Sequence, residues 1–258
     1  MKKLFLLVLI ASTLSTYAQN KNLTTVNTVK PKKGQKMAFE AAYKQHVAKF
    51  HTTADGMEVY EILSGPYQGS YHIAGGYKAF EDFDKERPDA AAHSTDLDKT
   101  FFPYLEETMN ATYRFIDSLS LRPEVQADKY VVTVRHLKQG MEQNDLRREM
   151  SRNVQVLKNM KTGFFNNLSF AMFDQIWDGS DQTWVEIRNL KDGFKSLETD
   201  FYGKNPPGTP SFRDEYAKLY GHAAWDTRAK LLDEGNAKVD VYIMKLRKDL
   251  SSPPAPAK

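Results

Sequence analysis

Six histidines, and no cysteine, set the chemistry open to this 258-residue chain. Without thiols, thiolate catalysis, thiolate metal sites, disulfide staples and lipid attachment through cysteine are all excluded. His72 is the histidine best placed for proton transfer. Its neighbours Tyr71 and Ile73 alternate with it in a strand-like run, so its imidazole faces opposite to theirs. Histidine titrates near neutral pH and suits general acid–base work. An interface histidine held by hydrogen bonds is the competing reading. His46 and His51 stand five apart, which splits them across a helix where an i,i+4 pair would share one face. No metal site is therefore expected. His93 and His222 fall in corresponding regions of the two halves of the chain.

The chain carries none of the short motifs with a defined mechanism: no G-x-S-x-G elbow, no phosphate-cradling glycine loop, no H-E-x-x-H and no EF-hand spacing. No cofactor is expected on that basis. Removing Lys2 and Lys3 with a leader takes the basic residues from 36 to 34, against 33 acidic ones. Such a near-neutral chain is a poor nucleic-acid binder, and the run Lys30 to Lys36 reads as a solvated turn.

Residues 1–18 have the pattern of a secretory signal peptide: Lys2 and Lys3, the apolar run Leu4 to Ile10, and small residues at Thr16 and Ala18. The apolar run is well short of the roughly 20 residues that span a bilayer. Cleavage after Ala18 would leave no stable membrane anchor, and the short Lys-Lys start suggests a bacterial periplasm or the cell exterior. The Pro/Ala-rich residues 251–258 read as a disordered tail.

The elements that must position these side chains occur twice. Thr24–Val29 alternates as a strand and ends in the Pro31–Gly34 turn. Gln35–His51 reads as an amphipathic helix with Met37, Ala41, Val47 and Phe50 near one face and Tyr43 beside them. Asp55-Gly56 is a stop, Met57–Leu63 and Ser70–Ala74 form a hairpin, and Tyr77–Lys85 is a short helix. Ala90–Thr108 reads as a longer helix interrupted near Pro103, and Ala111–Ile116 as the closing strand. The second copy answers with Tyr130–His136, Gly140, Glu142–Asn159, Thr162-Gly163, a strand within 164–177, the turn Asp178–Asp181, Trp184–Arg188, Phe194 with Leu197, and Asn236–Val241. The spacing between copies drifts mainly at loops, including the Gly/Pro-rich insertion at 202–210.

This βαββαβ order, repeated, predicts an α+β protein: two tandem ferredoxin-like domains, 19–120 and 129–250, joined by a linker at 121–128 and packed into one intramolecular barrel. The duplication would replace a homodimer, so no oligomer is required. Assigning the more apolar parity (Tyr71, Ile73, Tyr113, Phe115, Val132, Val134, Val185, Ile187, Val239, Val241, Ile243) to the helix-covered core leaves the opposite parity for the barrel interior. That interior would hold His72, Arg114, Arg135, Trp184, Glu186, Arg188, Asp240 and Tyr242. Two readings follow: a salt-bridged, water-containing interface without chemistry, or a polar pocket walled by Trp184 and Tyr242.

The element order, with an extra short helix after the third strand, resembles the dimeric α+β barrel superfamily, which includes antibiotic-biosynthesis-type monooxygenases, stress-responsive barrel proteins and the NIPSNAP group. The segment Gly76 to Pro88, with Phe80 and Phe83 ahead of the proline, is similar to the aromatic helix of those families. Phe194 to Leu197 repeats it without a nearby proline. The resemblance carries no activity-specific motif, so no catalytic residue transfers with it. Some of these barrels place a histidine over a haem or a substrate, which adds His93 to the candidates. The candidate ligand-binding set is thus His72, His93, Arg114, Trp184 and Tyr242, for a small aromatic or apolar ligand. Three functions stay open: a binding module without chemistry, a cofactor-independent monooxygenase-like enzyme, and a structural or interaction protein.

Overall fold

The computed structural model describes residues 21–52, 56–140, 143–160, 165, 168–177, 182–197 and 210–252. The leader, the Asp55 and Thr162-Gly163 signals, the Asp178–Asp181 turn, the insertion through 209 and the end of the tail lie outside the described residues.

Eight strands close into one antiparallel barrel. They are β1 (Leu23–Pro31), β2 (Glu58–Ile62), β3 (Tyr71–Ala74), β4 (Leu105–Phe115), β5 (Lys129–Leu137), β6 (Phe170–Ile176), β7 (Thr183–Asn189) and β8 (Asn236–Leu246). Around the barrel the order is β1-β3-β2-β8-β5-β7-β6-β4, with β4 returning to β1. The two halves of the chain meet along two seams: β2 on β8, with Ile62 opposite Met244, and β4 on β6, with Thr112 opposite Ile176. Among the described residues, closure leaves no edge strand to template aggregation.

Helices cover the outside. The first, α1 (Lys36–Phe50), starts after the turn at Gly34, whose φ of 78° suits glycine. It buries Phe39, Ala42, Tyr43, His46 and Val47 against β1, β2 and β3. That i, i+3, i+4 stripe is offset from the sequence expectation: Met37 is 85% exposed. Aromatic and imidazole rings rather than aliphatic residues mark the true face, which shifted the apparent stripe. The second helix, α2 (Ala90–Asp96), is much shorter than expected. A π turn (Leu97–Phe101) and a 3-10 turn containing Pro103 follow it, and β4 starts six residues before Ala111. Of the break or kink expected near Pro103, the structure shows the break.

In the second half α3 (Gln143–Asn159) packs Leu146, Met150, Val154 and Leu157 over the sheet with Phe170, Met172 and Trp184. Two helices, α4 (Phe212–Tyr220) and α5 (His222–Glu234), follow, separated at Gly221 with φ 87°. Ser211 caps α4 by accepting a hydrogen bond from the Asp214 amide at 3.0 Å. Val239 and Val241, assigned by parity to the helix-covered core, lie 43% and 53% exposed on the outside of β8.

Candidate functional site

Each strand of a closed barrel has an inward and an outward face, and both are buried where a helix lies outside. Hydrophobicity alone cannot say which parity points inward. In β3 the expected parity holds: Tyr71 and Ile73 pack under α1, and His72 points into the barrel. In β4, β5 and β7 it is reversed. Tyr113, Val132, Val185 and Ile187 line the interior, whereas Trp184, expected as a pocket wall, is 2% exposed in the core beneath α3.

Arg114 also lies outside the cavity. Its Nε donates to Asp174 at 3.0 Å, its Nη2 forms a second bond to the same carboxylate, and Arg147 of α3 reaches that carboxylate at 3.0 Å. Arg147 in turn stacks over the Trp184 ring at 5.4 Å. Arg135, Glu186 and Arg188 share the outward parity of Trp184. Burial pushes the Glu186 carboxyl up in pKa, against the pull of Arg135 and Arg188. The charge-rich interior expected from the sequence is therefore corrected. These arginines lie on the outer face of the sheet. Of the expected acids, Asp240 alone shares the inward parity of Tyr242, and Lys238 holds it at 2.7 Å.

The barrel interior forms a cavity of about 790 Å³ that opens to solvent. Val26, Ala171, Phe173, Met244 and Leu246 join the residues above in a largely apolar wall, with Tyr60, Tyr113, Tyr130 and Tyr242 contributing rings. Tyr60 and Tyr130 meet edge to face at 5.5 Å, and Tyr67 and Tyr242 do so at 5.8 Å.

Within this wall stands one hydrogen-bonded chain. His72 Nδ1 lies 2.8 Å from Thr28 Oγ1, and His72 Nε2 lies 2.8 Å from the Tyr242 hydroxyl. Sheet register makes it: Thr28 sits directly opposite His72 across β1 and β3, and β8 brings Tyr242 from the other half of the chain. Burial lowers the His72 pKa to about 4, so the ring is neutral at neutral pH. Burial also raises the Tyr242 hydroxyl, with Tyr113 and Tyr67 adding to the effect. In either neutral tautomer one ring nitrogen donates and the other accepts, so Thr28 and Tyr242 together satisfy both. Lone pairs on the Tyr242 oxygen remain to receive a donor from a ligand. Near the same cavity the Tyr60 hydroxyl donates to Glu58 at 2.5 Å.

The depressed His72 pKa carries a sign. Between about 4 and the ordinary 6.5 the unfolded chain binds a proton that the folded one does not, so folding weakens as pH falls through that window. Above 6.5 the effect vanishes. Denaturant unfolding of the parent and of His72→Asn between pH 7 and pH 4 should give curves that converge, with the parent losing up to roughly 3 kcal/mol more. Parallel curves would show that His72 is not buried neutral.

His93 is placed away from the cavity, on α2 outside the barrel, beside His46 and His51. Burial, then His46 and Arg87, lower its pKa. The five-residue spacing did not separate His46 from His51. His51 is the residue after α1, with φ −128° and ψ 52°, so helical geometry no longer governs where its ring points. Thr28, Tyr60, Tyr113 and Tyr130 were missed from sequence. Strand parity combined with the β1–β3 register would have found Thr28.

No protein-family model and no curated protein matches this sequence. Solved structures do match in shape. An anthrone oxidase-like protein aligns at TM-score 0.54 and 11% identity, covering 93% of this chain and 98% of that one. A candidate monooxygenase from Lactobacillus acidophilus NCFM aligns at 0.50 and 8%, covering 90% and 96%. A mutant chlorite dismutase from Candidatus Nitrospira defluvii aligns at 0.50 and 7%, covering 88% and 93%. At these identities the likeness is one of fold, and together with the strand order it identifies the chain as an α+β protein whose closed eight-stranded antiparallel barrel is of ferredoxin-like type.

Proposed function

We propose that this protein binds a small, flat apolar or aromatic molecule inside its barrel, anchored at the Tyr242 end of the Thr28–His72–Tyr242 chain. The cavity itself carries the reading. Its volume of about 790 Å³ falls in the range of small-molecule sites, and most of its wall is apolar or aromatic. We further infer that the chain is a tandem duplication, with units at 19–120 and 129–250 and a linker at 121–128. The order β4-β1-β3-β2 in one half and β8-β5-β7-β6 in the other supports this. Residues 1–18 are read as a signal peptide and the protein as periplasmic or secreted, which an exported form starting at Gln19 would test.

Filling the cavity tests the binding reading. Val185 faces the interior between Val134 and Phe173, so Val185→Trp should occupy ligand space. With 1-naphthol as probe in calorimetry, binding should fall at least tenfold in Val185→Trp, and Tyr242→Phe should lose roughly 1 kcal/mol through the missing hydroxyl. Equal affinity in all three proteins would sink the reading.

A second reading, a cofactor-independent monooxygenase-like enzyme, is favoured by one observation. Tyr242, hydrogen-bonded to the neutral His72, would pass a proton taken from an acidic C–H or O–H on to the imidazole as terminal base. The fold likeness to an anthrone oxidase-like protein and a candidate monooxygenase agrees with it. Oxygen uptake with anthrone that survives His72→Ala unchanged would eliminate His72 as that base.

A further inference from the structure

Three imidazoles converge on the outside of the barrel. His46 comes from the last turns of α1, His51 from the residue after it, and His93 from α2. His93 Nε2 lies 3.1 Å from His46 Nε2 and 3.1 Å from His51 Nε2, and the three ligand atoms all fall within 4.8 Å of one another. His46 and His51 are 2% and 6% exposed and His93 is half-buried.

Hydrogen bonds among the rings account poorly for this geometry. The Asp96 carboxylate also takes Lys49 Nζ at 2.8 Å and the Thr100 hydroxyl at 3.2 Å, so toward His46 Nδ1 at 2.9 Å it is an acceptor. Nδ1 of a neutral His46 therefore carries the hydrogen, and its Nε2 presents a bare lone pair to His93. One nitrogen of His93 holds either one hydrogen or one lone pair, yet it meets two ring nitrogens at the same short distance. A cation at the centre satisfies all three lone pairs at once. Tetrahedral coordination with metal–nitrogen bonds of about 2.0–2.1 Å places ligand nitrogens roughly 3.3–3.4 Å apart, close to the two 3.1 Å separations from His93, with the third pair within 4.8 Å. Asp96 then stands where metal-binding histidines find their outer carboxylate, fixing the tautomer and turning Nε2 inward.

We propose that His46, His51 and His93 bind one divalent first-row transition ion, zinc above all, with Asp96 as the positioning residue behind His46. An all-imidazole donor set suits zinc, copper and nickel and disfavours the oxygen-seeking calcium and magnesium. The site ties the end of α1 to α2, a cross-link that a chain without cysteine cannot make by disulfide. It is separate from the barrel cavity and stands or falls independently of the binding reading.

Chelator-stripped protein, exported and free of any polyhistidine tag, is titrated with Zn²⁺ by calorimetry, and Co²⁺ is added in parallel to read its d–d bands. One ion per chain is expected, with Tm rising by roughly 5–10 °C at a hundredfold excess over Kd. His93→Ala and His51→Gln should each weaken binding more than a hundredfold. Asp96→Asn should weaken it roughly 10–100-fold. The exposed His222→Ala should match the parent. Position 93 is partly exposed, far-UV circular dichroism is to check the folding of His93→Ala, and His51→Gln serves in its place if it does not fold. No saturable binding, or unchanged binding in whichever of these two variants folds, overturns the site.

Discussion

Replacing Glu149 by alanine should destabilise the protein by about 3–5 kcal/mol, because one buried carboxylate serves three polar side chains. Glu149 projects from α3 and is completely buried. Arg152 reaches its Oε1 at 2.8 Å and Arg148 at 3.3 Å, while the hydroxyl of Tyr216 on α4 donates to its Oε2. The partners respond unequally to its loss. The two arginines are 30% and 49% exposed and can swing into water. Tyr216 is fully buried, and its hydroxyl would be stranded among Phe212 and Trp225. A chain of this size changes Tm by about 2–4 °C per kcal/mol, so the melting temperature should drop by roughly 6–20 °C. Glu149→Gln keeps an acceptor for Tyr216 and should cost only about 1–2 kcal/mol. Thermal and urea unfolding of the two variants decide the matter. A loss below about 1 kcal/mol in the alanine variant would mean that the α3–α4 contact does not depend on this carboxylate.

Gly65→Ala should lose about 3 kcal/mol and loosen the ligand cavity with it. Gly65 opens the β2–β3 loop with φ +82°, and a Cβ there would stand 2.7 Å from both Tyr242 Cβ and the Val241 carbonyl oxygen. Neither atom is the free end of a flexible side chain. The loop is also bound to β8 on either side: the Leu63 amide donates to Ile243 O at 2.8 Å, and the Ile243 amide donates to Ser64 Oγ at 3.1 Å. Pushing the loop away therefore opens a seam between the two halves of the chain and shifts Tyr242, the residue that bonds His72. Gly69 provides the control. Its φ is +84°, but nothing lies within 4 Å of a Cβ built on it, so Gly69→Ala should bear only the backbone strain of about 1 kcal/mol. Denaturant unfolding should rank the two alanine variants in that order, and 1-naphthol binding should weaken only in Gly65→Ala. Equal losses in both would place the cost in backbone strain alone and leave the contact with Tyr242 without consequence.

The two variants probe parts of the molecule that the sequence disclosed to different degrees. Glu149 sits in a helix whose Leu146, Met150, Val154 and Leu157 repeat at helical spacing, but its partner Tyr216 is 67 residues away. Gly65 is legible as a turn residue. That its missing side chain makes room for Tyr242 is a tertiary fact, since 177 residues of chain (242 − 65) separate them.

Local pattern determined the element order and the α+β class. Those follow from period-two alternation, turn residues and helical spacing, all of which act within about ten residues. Pattern alone did not determine which face of a strand is inside. Once the barrel closes, Val132 and Val185 line the cavity while Arg135, Trp184 and Glu186 fill the layer beneath the helices, because both faces of those strands leave bulk water. Nor could it bring His93 to His46 and His51. That meeting depends on where α1 ends, on Pro103 stopping the segment after α2, and on the packing of α2 against the end of α1. The sequence settled the elements and the identity of the groups able to do chemistry. Barrel closure and helix ends, which are properties of long-range packing, decided which of those groups stand together.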